Sequence, residues 1–212
     1  MISADRFVAS KDLNEEAWLT ARREGVTATM VSRAATKSGY LDVVNTYGLP
    51  VFVNEFMEWG TARESVIADW VKNEFEIMPN SWLISAGGPM SPDRWMLCTP
   101  DGLSLTHHEI AEIKTGGTVT PSIRIDHRRQ MQFQLLVSDA ERCLYVFEHR
   151  KTVGDNFEPG EITTEWVYPD PEMRDELIAV AQRLQEELVH RSREEQPLAT
   201  QDEPTTERLA HE

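Results

Sequence analysis

Cysteine is almost missing from this chain, with only Cys98 and Cys143 among 212 residues. Two are too few for a disulfide framework or a cysteine-rich zinc site. No apolar run approaches the ~20 residues that a membrane span needs, and Met1 to Lys11 lack the basic-then-apolar layout of a secretory leader. A cytoplasmic protein with no membrane attachment is expected. Basic residues are scarce as well: 21 Lys and Arg stand against 36 Asp and Glu, a net charge of −15. The acidic excess divides between residues 1–168, with 24 acidic and 16 basic side chains, and residues 169–212, with 12 and 5. A general basic surface for nucleic acid is thereby excluded, though a local basic groove is not.

What is present reads as one mixed α/β domain over residues 1–190, followed by a polar, acidic tail at 191–212 that is expected to be disordered. Asn14 can cap a helix that runs through Trp18 towards Gly25, and Thr27 a second short one towards Gly39. Asn54 opens a long helix to about Phe75, with Phe56, Trp59, Ile67, Trp70 and Val71 as its apolar side. Strands are expected at Ser81–Ser85, Arg94–Cys98, Glu109–Lys114, Arg142–Glu148 and Thr163–Tyr168, with helices at Ile125–Val137 and Pro171–His190. The last shows Leu177, Ala181, Leu184 and Leu188 at helical spacing.

Three acids and a lysine carry the chemistry. Asp101 sits in the tight turn Thr99-Pro100-Asp101-Gly102. In the strand that follows, the period of two places Glu112 and Lys114 on one face and Ile113 on the other. A carboxylate on an inner strand is costly to bury unless a cation compensates it. Hard carboxylate oxygens suit Mg²⁺, which can bind a phosphate oxygen and lower the pKa of a bound water. Lys114 could orient or deprotonate that water, or act as a cation. Taken alone, an acid in a turn before a Glu-x-Lys strand is also common on solvated faces. Gly60 and Glu64 share one face of the long helix. A helical glycine costs ~1 kcal/mol relative to alanine, so a packing or access reason is expected, such as a close approach beside Glu64. The four tryptophans Trp18, Trp59, Trp70 and Trp166 are expected in the core, while Trp82 and Trp95 are candidates for contacts near the site. His107 and His108, adjacent in sequence, are assigned to an exposed turn and not to a metal.

These residues, taken in order, resemble the PD-(D/E)XK nuclease superfamily and within it the phage lambda exonuclease or YqaJ-like viral recombinase branch. The likeness rests on Trp18, Arg22-Arg23-Glu24-Gly25-Val26-Thr27-Ala28-Thr29, Gly60-x-x-x-Glu64, Pro100-Asp101-Gly102, Glu112-x-Lys114 and Gln130-Met131-Gln132. It implies a restriction-endonuclease-like core, a central mixed β-sheet flanked by helices. It implies Glu64, Asp101 and Glu112 as ligands of Mg²⁺ (or Mn²⁺), two ions in all, with Lys114 and Gln130 completing the catalytic set. Arg23 and Thr29 would take the 5′-phosphate of a DNA end. Arg124, Arg128 and Arg129, the strongest basic cluster, would contact the DNA backbone.

The implied activity is digestion of double-stranded DNA from a 5′ end, exposing a 3′ strand for phage-type recombination in a bacterial host. A homotrimer and a single-strand annealing recombinase are the implied partners. Two alternatives stay open. One is a repair-type nuclease acting on single strands or flaps, for which the low cysteine count excludes the iron–sulfur members. The other is a non-catalytic module that binds DNA ends.

Overall fold

The computed structural model describes residues 2–50, 52–120 and 122–194. After a 3-10 turn at Ala4–Arg6, the chain runs β1 (Phe7–Ser10), α1 (Glu15–Arg22), β2 (Val26–Thr27), α2 (Ala28–Ala34), α3 (Lys37–Thr46) and α4 (Glu55–Phe75). The strands β3 (Met78–Pro79), β4 (Trp82–Ser85), β5 (Met96–Cys98), β6 (Gly102–Ser104) and β7 (Glu109–Gly116) follow. Then come α5 (Ile125–Ser138), β8 (Arg142–Val153), β9 (Asn156–Val167) and α6 (Pro171–Glu194).

The long helix α4 begins where its sequence demands. The Asn54 side chain accepts from the Met57 amide at 3.0 Å, satisfying one of the donors left open at a helix start. At its far end Glu76 adopts the left-handed conformation and closes the last turn onto Lys72. Between them Ile67, Ala68 and Val71 form the buried stripe. Phe56, expected on that stripe, is instead exposed and meets Phe157 of β9 with ring centroids 5.5 Å apart.

A central five-stranded sheet has the order β3-β6-β7-β8-β9. Its one parallel pair, β7 with β8, is joined through α5, as a crossover requires. The two faces of β7 divide as the period of two predicts. Ala111 and Ile113 join Ile67, Val71, Ile77, Leu144 and Val146 on the α4 side. Ile110 belongs to the larger cluster on the α5 side, with Met131, Leu135, Cys143 and Tyr145. A second sheet, β1-β4-β5-β2, is absent from the sequence reading because β1 and β2 are too short to show a period.

Several boundaries differ from expectation: β5 starts only at Met96, and β8 and β9 extend towards one another as a long hairpin, to Val153 and from Asn156. The segment after Thr27 forms two helices, since Thr36 caps a new one by accepting from the Gly39 amide at 3.1 Å. Gly39 therefore lies inside the first turn of α3 and ends nothing. Helix α6 runs on to Glu194, past the expected end at residue 190, with Leu177, Ala181, Leu184 and Leu188 buried as expected. The rest of the expected tail lies outside the described residues. No helix among the described residues is long and apolar enough to cross a membrane.

Candidate metal centre and cleft

Asp101 occupies the turn between β5 and β6, and its backbone is pinned on two sides. Its amide donates to the Ala111 carbonyl at 3.0 Å, and its carbonyl accepts from the Asn80 amide at 3.0 Å. The carboxylate then takes the ladder position that β6 no longer fills, as Oδ2 accepts from the Ile113 amide at 2.6 Å. One strand position before Ile113, Glu112 is 1% exposed. A buried carboxylate must be given donors, and α5 gives them. Gln130 donates to Oε1 at 2.5 Å and Gln134 to Oε2 at 2.6 Å, while Lys114 forms an ion pair with Oε1.

The electrostatics follow from this crowding. Burial holds the Asp101 carboxyl well above the usual carboxylate range, and Glu112 and Glu64 push the same way against Lys114 and the Ile113 amide. For Lys114, burial alone favours loss of the proton, but Glu112 and Asp101 outweigh it and raise the ammonium above its ordinary value. Tyr145, beside Lys114, is pushed up to about 12 chiefly by burial.

Above Asp101 opens a cleft of about 480 Å³, walled by Glu64 and Thr61 of α4, Thr99, and Trp18 and Arg22 of α1. The Arg22 guanidinium lies 4.4 Å from the centre of the Trp18 ring. Trp18 is thus a wall residue of the cleft and not a core residue. Trp82 lies outside this cleft, edge-on to Phe7 at 5.7 Å. Arg22, not Arg23, faces the cleft: consecutive helix residues point ~100° apart, and Arg23 is exposed at the end of α1, its carbonyl accepting from the Tyr47 hydroxyl at 2.8 Å. Thr29 is exposed at the start of α2 and does not line the cleft.

The basic cluster ahead of Gln130 is partly neutralised. Arg124 grips Asp126 through two hydrogen bonds of 3.1 and 2.8 Å, and Arg128 pairs with Glu165 at 3.2 Å. Arg129 is half-buried on the same helix. His107 and His108 lie in the β6–β7 turn, near Glu76 and Glu141 respectively, as expected.

The donor set suits a hard divalent cation, because carboxylate oxygens are its preferred ligands. Burial and the neighbouring Glu112 charge both raise the Asp101 carboxyl, and a bound cation would relieve that charge crowding. The expected triad is nevertheless not assembled. Among the described residues, no three His, Cys, Asp or Glu side chains stand together closely enough to hold a metal ion. The reason is local: Oε1 of Glu112 already has Lys114 as its cation, and Glu64 is exposed on the cleft wall.

Two features were missed by sequence reasoning. Gln134 shares the face of Gln130 at i+4, whereas Gln132 points away and braces α6, donating to the Tyr168 carbonyl at 2.7 Å and accepting from the Asp170 amide at 2.8 Å. The second feature is Arg22, whose spacing of four from Trp18 was the available signal.

A mixed sheet with a parallel β7/β8 crossover and carboxylates at the β6/β7 edge defines a restriction-endonuclease-like α/β protein. Residues 17–141 match the YqaJ-like viral recombinase domain, and the chain belongs to that family. Solved structures that share its fold include two exonucleases. An alkaline exonuclease (LHK-Exo) from Laribacter hongkongensis aligns with a TM-score of 0.60 and 21% identity, over 84% of this chain and 97% of its own. A phage related exonuclease from Haemophilus somnus 129PT aligns with a TM-score of 0.60 and 12% identity, over 80% and 96%. No curated protein matches the sequence significantly.

Proposed function

We propose that this protein is a Mg²⁺-dependent deoxyribonuclease that digests double-stranded DNA from a 5′ end and leaves a 3′ strand for recombination. One observation carries the reading: Asp101 lines a cleft whose walls hold Glu64 and Arg22, and the buried Glu112–Lys114 pair lies near enough behind it to act on its charge. The family and the two exonucleases of like fold support it, as does a structure of the Laribacter enzyme in complex with dAMP, a mononucleotide of the kind an exonuclease releases.

In this reading Asp101 and Glu112 hold the metal, and Glu64 turns in from the wall. Bound Mg²⁺, as two ions or with Mn²⁺ in its place, supplies Lewis-acid stabilisation of the phosphate and an acidified water. Lys114, whose ammonium Glu112 and Asp101 favour before a metal binds, serves as a cation towards the phosphate oxygens or, once Glu112 is engaged by the metal, orients the attacking water. Gln130 steadies Glu112 as Lys114 exchanges partners. Arg22, with Trp18 beneath it, takes the terminal phosphate in place of Arg23 and Thr29. Arg129 is the member of the basic cluster best able to meet the DNA backbone, since Arg124 and Arg128 already face acids. The same reading carries a homotrimer around the duplex and an annealing recombinase as partner, for which the solution mass of the purified protein is the first check.

The test compares linear duplexes bearing 5′-phosphate or 5′-hydroxyl ends with closed circles, in Mg²⁺ and in chelator. Asp101→Ala and Lys114→Ala should lose nucleotide release by a factor of 10² or more, an order set by removing a metal ligand or a charge-stabilising group. Arg22→Gln should erase the preference for 5′-phosphate, and Arg23→Gln should keep it. Equal digestion of circles and linear DNA would refute the exonuclease reading, and full activity in chelator would refute the metal.

A further inference from the structure

The carboxylate of Glu112 is held asymmetrically. Its Oε1 lies on the more open side, shared by Gln130 and by Lys114, whose side chain is 26% exposed. Its Oε2 is turned inward, and its partner there is Gln134, itself 1% exposed. Only one of these two oxygens can exchange partners with solvent or substrate. The other is fixed by a bond closed off from water.

Gln134 is not explained by packing. Its Oε1 is a buried acceptor with no hydrogen-bond partner, and such an atom costs stability. A methionine of similar length would fill the same space without an orphaned oxygen. What the amide adds is the Nε2 donor to Glu112.

We infer that Gln134 is a positioning residue of the metal centre: it locks the inner oxygen of Glu112, so that the outer oxygen alone is offered to the cation. The inference rests on the proposed metal-dependent activity and deepens it. Gln130 and Gln134, one helical turn apart, form a two-point grip on a single carboxylate, and each does a different task. Gln130 holds the oxygen that must trade Lys114 for another cation, and Gln134 holds the oxygen that must not move. Hydrogen-bond partners of a ligating carboxylate commonly contribute 10–100-fold to metal affinity.

The experiment is calorimetric titration of the full chain with Mg²⁺ and with Mn²⁺, needing no DNA turnover. Gln134→Met removes the donor at nearly constant volume and is expected to weaken binding by roughly 10-fold or more. Gln134→Asn keeps an amide but shortens its reach, and should show the same loss if the methionine variant does not fold. Leu135→Val loosens the same helix beside Gln134 without removing a hydrogen bond to Glu112. It should leave affinity unchanged even where its melting temperature falls as far. Unchanged affinity in Gln134→Met or Gln134→Asn, or an equal loss in Leu135→Val, would overturn the inference while leaving the metal-dependent reading standing. A wild-type protein that binds neither metal would overturn both.

Discussion

Replacing Arg63 by methionine isolates the ion pair that clamps α4 to β8. Arg63 donates to both oxygens of Glu148, at 2.9 and 2.7 Å, immediately before Glu64 in the chain. The pair is lopsided: the Arg63 side chain is 21% exposed and that of Glu148 only 1%. Removing the arginine strands a buried carboxylate, which costs about 3–5 kcal/mol. Removing the acid instead, as in Glu148→Leu, leaves a guanidinium that can swing to water, for about 1–2 kcal/mol. The double variant replaces the pair with apolar atoms and should recover most of the loss, since buried pairs often exchange for hydrophobic residues at little net cost. Urea unfolding reads the difference: with a slope of about 2 kcal/mol/M, Arg63→Met lowers the midpoint by about 1.5–2.5 M and Glu148→Leu by about 0.5–1 M. Equal losses in the two single variants, or a double variant no more stable than Arg63→Met, would refute the argument from asymmetric burial.

Asp101 and two glycines yield further expectations. Because burial raises the Asp101 pKa, the protonated form is favoured in the folded state. That contribution is complete below the unfolded value, about 3.9, and is lost as pH rises through the folded one. In chelator, Asp101→Asn should therefore melt above wild type by a margin that grows with pH. Mg²⁺ should narrow the margin by stabilising wild type alone; a variant less stable at every pH would refute this. Gly25→Ala places a Cβ 1.9 Å from the Trp95 carbonyl oxygen, which accepts from the Val26 amide, and should cost about 2–3 kcal/mol in denaturant titration. Gly60→Ala meets nothing nearer than Thr115 Oγ1 at 3.5 Å and should stabilise by about 0.5–1 kcal/mol.

That last contrast shows where the sequence was readable. Gly60 was expected to admit a close neighbour beside Glu64, yet no described atom crowds it, and any access reason belongs to the open cleft. The Asn54 cap, the split faces of β7 and the stripe of α6 were legible because each depends on local periodicity or a single cap. The second sheet was not, since β1 and β2 are held by partners distant in the chain, Phe7 opposite Ile84 and Val26 opposite Met96. At the site, Asp101, Glu112, Lys114 and Gln130 converge as their order implied. Arg22 could be separated from Arg23 only by helix phase, and Gln134 from Gln132 only by seeing which side of α5 faces β7. Spacing brought Glu64 to the cleft without telling that Lys114 would already occupy Glu112.

The bond from the Ile113 amide to Asp101 Oδ2 makes one backbone proton a reporter. The paired positions of β6 and β7 run from Gly102 opposite Ala111 to Ser104 opposite Glu109, so at Ile113 a side chain stands in for the missing strand. Amide exchange there is governed by the posture of a single carboxylate and not by the opening of a sheet. Followed by NMR, that resonance would register capture of a cation by Asp101 directly, at the residue concerned.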